Sequence, residues 1–165
     1  MPFVSPWFLR NCCNRQTQQT TVRQFDDNNF IPSSIEVFTL NAQTIAPNAE
    51  IPFSDTLHNT GVSFKFTNGN NFVEVISSGI YKVSFVASLK NATDEEVNLS
   101  IAIDGTKQDA STVYQQLRAN EFDNVSTEMV LRVTDTPVKI SIINSSLATF
   151  NAHNSMLSIV RTGNF

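Results

Sequence analysis

Charge is scarce in this chain: 16% of its 165 residues are charged, against about 25% in an average globular domain. The formal net charge is −4 and the pI is about 5.0, so no sequence-independent grip on phosphate backbones is expected and nucleic acid is excluded as a partner. Glycine is scarce as well, with 5 residues and no Gly-X-Y period, which excludes a collagen triple helix. The 2 cysteines stand side by side at Cys12 and Cys13, so they cannot close a long stabilising loop. A tetrahedral metal site needs four ligands, and beyond that pair only His58 and His153 offer side-chain nitrogens, so neither a metal nor another cofactor is expected. No run approaches the ~20 apolar residues of a membrane span. The apolar opening Met1–Leu9 lacks a basic flank before it and an A-x-A-like site after it, so no signal peptide is evident.

What is present is apolar and polar-uncharged. Hydrophobic residues make up 41% of the chain, with 13 Phe among them, enough to enclose one core at this length. Asn, Ser and Thr supply roughly a third of the residues, leaving a surface that is polar without being charged. From Met1 to Ser34 no apolar period is visible and prolines such as Pro2 and Pro6 interrupt the text, which reads as an N-terminal arm, flexible or anchoring. Residues 35–165 alternate instead. Strands are expected at Ile35–Leu40, Val62–Thr67, Phe72–Ile76, Ile80–Leu89, Val97–Ile103, Val125–Val133, Val138–Ile143 and Ser155–Arg161, with Asn68-Gly69 and Asp104-Gly105 as hairpin turns. Tyr114–Phe122 reads as a loop or a single turn. So many short strands without a convincing helix indicate an all-β jelly-roll sandwich of two antiparallel sheets.

Phe64, Phe66, Tyr81, Val83, Phe85, Leu99, Ile101, Leu131, Leu157 and Ile159 fall on the apolar parity of their strands and are expected to form the core. Several strands are partly apolar on their other parity too, giving a second set: Lys82, Ser84, Val86, Ser141, Ile143, Ser158 and Val160. Apolar residues on both faces of a sheet need a second cover, and a neighbouring subunit supplies one; an arm folded over the sheet is the other reading. If Lys82 lies at such an interface, an acidic partner such as Glu128 or an anion must balance it.

No catalytic constellation emerges. Neither histidine stands in a nucleophile-elbow or triad motif, no glycine-rich phosphate loop occurs, and Asp94-Glu95-Glu96 reads as a solvated tip. The chain is therefore expected not to be an enzyme. The sequons at Asn91, Asn98, Asn124 and Asn144 match by chance in so Asn- and Ser-rich a text.

The segment Ser78-Gly-Ile-Tyr-Lys-Val-Ser-Phe-Val-Ala-Ser88 resembles the Gly-x-Tyr strand of the tumour necrosis factor and complement C1q-like superfamily. Ile51-Pro-Phe-Ser54, Ile103-Asp-Gly-Thr106 and Leu157-Ser-Ile-Val-Arg161 fit its bacterial branch, and in this order they look like the heads of collagen-like glycoproteins on the exosporium of spore-forming bacteria. The resemblance implies a jelly roll of about ten strands that forms a homotrimer. It also implies a structural or adhesive role at a bacterial spore coat or exosporium, with other spore-surface proteins reached through the arm. A trimeric glycan- or receptor-binding head, lectin-like or phage-encoded, is the alternative, with a glycan as partner. Cys12 and Cys13 then read either as cross-links between chains or as incidental thiols. If they are cross-links, non-reducing gels show multimers that disappear in the double variant Cys12→Ser/Cys13→Ser, and unchanged migration sinks the tether.

Overall fold

A computed structural model describes residues 30–164. Cys12, Cys13 and nearly all of the expected arm lie outside the described residues. Twelve strands occur among those described: β1 (Ser33–Thr39), β2 (Gln43–Ile45), β3 (Asp55–Thr60), β4 (Phe64–Lys65), β5 (Phe72–Val75), β6 (Gly79–Lys90), β7 (Glu95–Ile103), β8 (Thr106–Lys107), β9 (Val113–Leu117), β10 (Phe122–Val133), β11 (Val138–Asn144) and β12 (Phe150–Gly163). They form two antiparallel six-stranded sheets. The first runs β10-β6-β12-β1-β3, with β2 also on β12; the second runs β4-β5-β11-β7-β8, with β9 also on β7. This is the expected jelly-roll sandwich.

Strand alternation builds the core directly, because a side-chain period of two sends every second residue inward. In β6, Tyr81, Val83, Phe85 and Leu89 are buried while Lys82 and Val86 are exposed. Leu157 and Ile159 of β12, with Ile35 and Val37 of β1, complete that layer, and Leu99, Ile101, Ile140 and Ile142 face it from the second sheet. Phe64 and Leu131 are also buried in the core, and Phe66 packs against it partly exposed.

The Gly-x-Tyr motif has a steric reason. A Cβ on Gly79 would come within 2.8 Å of both Arg161 Nε and the Gly163 carbonyl oxygen, so only glycine lets the end of β12 approach this closely. Two residues on, Tyr81 points inward and its hydroxyl donates to the Ser77 carbonyl at 2.6 Å, with its ring edge-on to Phe64 at 5.7 Å. The sequon residue Asn144 is an internal brace. It is fully buried, donates to the carbonyls of Ala148 at 2.8 Å and Ala46 at 3.1 Å, and accepts from Ser146.

Four expectations change. Tyr114–Phe122 is a loop with a turn only over residues 118–121, since Val113–Leu117 pairs with Glu95–Leu99 and Phe122 begins β10. The strand expected at Val62–Thr67 shrinks to Phe64–Lys65: Gly61 turns the chain at φ +79, Ser63 goes inside to donate to Ser33 Oγ, and Val62 is left exposed. Asp55–Thr60 and Gln43–Ile45 are strands although their residues are mostly polar, because each borders only one neighbour and has little to bury. The last strand begins at Phe150 rather than Ser155; the polar text before Ser155 is a bulge, with Asn154 at φ 48.

Burial raises the Tyr81 hydroxyl above its ordinary pKa of 10.0, with a Ser63 hydrogen bond and the Arg161 charge opposing it. The native state thus holds this proton more tightly than the unfolded chain. The resulting stabilisation is complete below pH 10.0 and is lost as pH rises through the native value. Chemical denaturation across that range should show the unfolding free energy of Tyr81→Phe declining less above pH 10.0, with about 1 kcal/mol lost at neutral pH from the missing hydrogen bond to Ser77. Identical alkaline slopes would remove Tyr81 from the balance.

Candidate functional site

The outward face of the first sheet is the candidate site. Register fixes its rows across β10, β6, β12, β1 and β3. One row is Val130–Lys82–Val160–Ser34–Thr60, and the next is Glu128–Ser84–Ser158–Glu36–His58. The third, Ser126–Val86–Met156–Phe38, is mostly apolar, and Leu57 stands beside it at a bulge between β1 and β3. Leu57 and Val130 are 63% and 66% exposed, and Val86 and Val160 are 42% and 39%. With Leu40 and the half-buried Phe38 and Met156, Leu57 and Val86 line an open groove of about 300 Å³.

Two close contacts between ionisable groups on this face are made within the chain. Lys82 Nζ lies 2.9 Å from Glu128 Oε2, the acidic partner expected for it. His58 Nδ1 lies 3.3 Å from Glu36 Oε2, and its Nε2 lies 3.0 Å from Ser34 Oγ. That chain of contacts has the connectivity of a Ser-His-acid triad, which no sequence motif announces. It lacks the other half of acyl-transfer chemistry. β1 sits between β12 and β3, so the backbone N–H groups around Ser34 are committed to the ladders and none remains to stabilise an oxyanion. Ser34 Oγ is also within 2.9 Å of Thr60 Oγ1. The cluster is a polar island beside the apolar third row. Among the described residues no group of three or more His, Cys, Asp or Glu side chains is placed to hold a metal ion.

Five of the seven interface candidates, Lys82, Ser84, Val86, Ser158 and Val160, share this face. Ser141 and Ile143 do not: β11 belongs to the second sheet, where Ser141 is buried and donates to Glu50 Oε1 at 2.6 Å. Equal parity in two strands says nothing about whether they share a sheet, and that misplaces these two. Phe38, Leu57 and Val130 were missed. Phe38 was legible as the apolar residue off parity in Ile35-Glu-Val-Phe-Thr; Leu57 carried no signal, because β3 is polar throughout the rest of its length.

No family model matches the chain, and no curated protein matches it in sequence. Solved structures do match in fold. Murine APRIL, crystallised at pH 5.0, superimposes with a TM-score of 0.63 at 11% identity, covering 80% of this chain and 100% of that one. Eiger TNF from S. frugiperda gives 0.54 at 13% identity, over 82% of this chain and 94% of that one. The globular domain of zebrafish complement 1qA gives 0.51 at 12% identity, over 81% and 98%. At such identities the likeness is one of architecture: the chain has the jelly roll of the tumour necrosis factor and C1q-like proteins.

Proposed function

We propose that this chain is the subunit of a non-enzymatic homotrimeric head with a structural or adhesive role, assembled through the outward face of its first sheet. One observation carries the reading. The face formed by the two central strands, β6 and β12, and their neighbours bears a contiguous set of large apolar side chains, Phe38, Leu57, Val86 and Met156, with Val130 and Val160 across a polar row. Such a face buried against copies of itself gains roughly 25 cal/mol for each Å² of apolar surface removed from water. Lys82 arrives already paired with Glu128, so closing a symmetric interface does not leave like charges uncompensated. The shared fold supports the same reading, since trimers are what the resemblance implies.

The finer parts of the proposal rest on the sequence. The motifs Ser78–Ser88, Ile51–Ser54, Ile103–Thr106 and Leu157–Arg161 favour the bacterial exosporium heads, and hence a spore coat or exosporium. The arm, residues 1–34, then links the head to other spore-surface proteins, with Cys12 and Cys13 as tethers. A surface poor in charge suits a head packed among others like it.

Light scattering after size exclusion at micromolar concentration should return about three times 18.3 kDa, the mass of a trimer. Val86→Asp should shift that mass to one chain. In an isolated chain the same substitution, at a side chain already 42% exposed, changes stability by only about 0.5 kcal/mol. A monomeric wild type, or a Val86→Asp protein that keeps the full mass, contradicts the proposal.

A further inference from the structure

We propose that the opposite side of the sandwich, the outward face of the second sheet, carries a binding cleft for a neutral sugar residue. The cleft arises where two segments share one flank of β11. β5 pairs with Val138–Ser141, and beyond it the flank passes to residues 48–51, whose backbone bonds to Ile142 and Asn144 and whose Glu50 bridges to Ile143. At this junction a cavity of about 440 Å³ opens, lined by Glu50, Asn71, Phe72, Asp104, Gly105 and Lys139. Its volume falls in the range of small-ligand sites, roughly 300–1,000 Å³. Behind this lining the outward centre of the sheet is closed, with Ser141 paired with Ala102 and both buried, so Glu50 stands over Ser141 as the inner wall of the cleft.

The walls are set before any ligand arrives. Glu50 is held by Ser141 Oγ at 2.6 Å and by Asn71 Nδ2, and two of the roughly four lone-pair directions of a carboxylate are used this way. Asp104 occupies the left-handed turn at φ 48; its Oδ1 accepts from the Lys139 backbone N–H at 2.9 Å, and its own N–H donates to the Lys139 carbonyl. Lys139 Nζ rests on the Phe72 ring, 4.6 Å from its centroid. The cleft therefore presents two positioned carboxylates, an ammonium and an aromatic ring within one small volume. Fixed acceptors cost the complex little ordering entropy.

That set selects a ligand class. A sugar ring offers vicinal hydroxyls that donate to carboxylates and accept from an ammonium, and a C–H face for the ring of Phe72. Among the residues lining the cleft an anionic ligand meets two carboxylates, Glu50 and Asp104, against one ammonium, Lys139, so neutral sugars are favoured over acidic ones. The cleft lies on the sheet that the proposed trimer leaves uncovered, and the inference does not depend on that trimer: a monomer has the same cleft.

The experiment is amide NMR of the full chain titrated with methyl glucoside, methyl galactoside, methyl mannoside and N-acetylglucosamine, with glucuronate as the anionic comparison. Saturable shifts at Asn71, Phe72, Asp104, Gly105 and Lys139 are expected with at least one neutral sugar, and weaker ones with glucuronate. Phe72→Leu and Asp104→Asn should each weaken that binding about tenfold. Asn tolerates the left-handed turn and keeps an acceptor for Lys139, so the second variant tests the charge without unmaking the turn. No saturable shift at these amides up to roughly 50 mM of any of the four neutral sugars, binding that survives both substitutions unchanged, or tighter binding of glucuronate would overturn the proposal.

Discussion

The antiparallel pairing of β6 with β12 is the contact on which the rest of the molecule depends. It joins the two long strands at the middle of the first sheet, from Ile80 beside Gly163 to Lys90 beside Asn151. Its close end exists because Gly79 has no side chain to collide with Arg161 and the Gly163 carbonyl. From there Arg161 reaches back to the Ser78 carbonyl at 2.7 Å and to Asn164, and Tyr81 is drawn down to Ser77. Because strand residues alternate, this one register sends Val83, Phe85, Leu157 and Ile159 into the core. It simultaneously sets Lys82, Val86, Met156 and Val160 side by side on the outside. A slip of one residue would exchange the two sets.

The two faces of the sandwich are consequently unlike. The first sheet shows one apolar row, with Val130 and Val160 beyond the Lys82–Glu128 pair and the Ser34–His58–Glu36 island, a surface suited to being covered by another protein surface. The second sheet is roofed over most of its centre by its own loops: Ser100 is tied to Thr112 and Ser145, and Ser141 to Glu50. Where that roof stops, between Phe72 and Asp104, an open polar cleft remains. Assembly on one side and recognition on the other need no shared residues, so selection on either need not disturb the other. The low charge noted at the outset fits both: few ionic groups have to be balanced on either face, and Asn, Ser and Thr carry the solvent.

Much of this was legible in the residues. β6, β7, β10 and β11 announce themselves by alternation, and Asp104-Gly105 forms the turn its composition calls for, with both residues at positive φ. The outward set on β6 and β12 could be listed because an apolar residue off parity, such as Val86 or Val160, is visible in a string. Sheet membership was not visible, and so Ser141 and Ile143 were grouped with strands they never approach. Edge strands such as β3 and β9 bury too little to leave a pattern. The cleft was invisible for a different reason: Glu50, Asn71, Asp104 and Lys139 come from four segments, and only the junction of two chain segments along β11 brings them together. The contacts of His58 with Ser34 and Glu36 likewise come from strand pairing, not from spacing.

The claim at the centre is that the outward face of the first sheet meets copies of itself. A sample mixed from methyl-labelled and unlabelled chains reports this directly, because filtered nuclear Overhauser contacts arise only across an interface. Contacts to the methyl groups of Val86, Met156 and Val160, with none to Ile143 on the other sheet, are the predicted result. An absence of intermolecular contacts at those three methyl groups, or contacts confined to the second sheet, would contradict it.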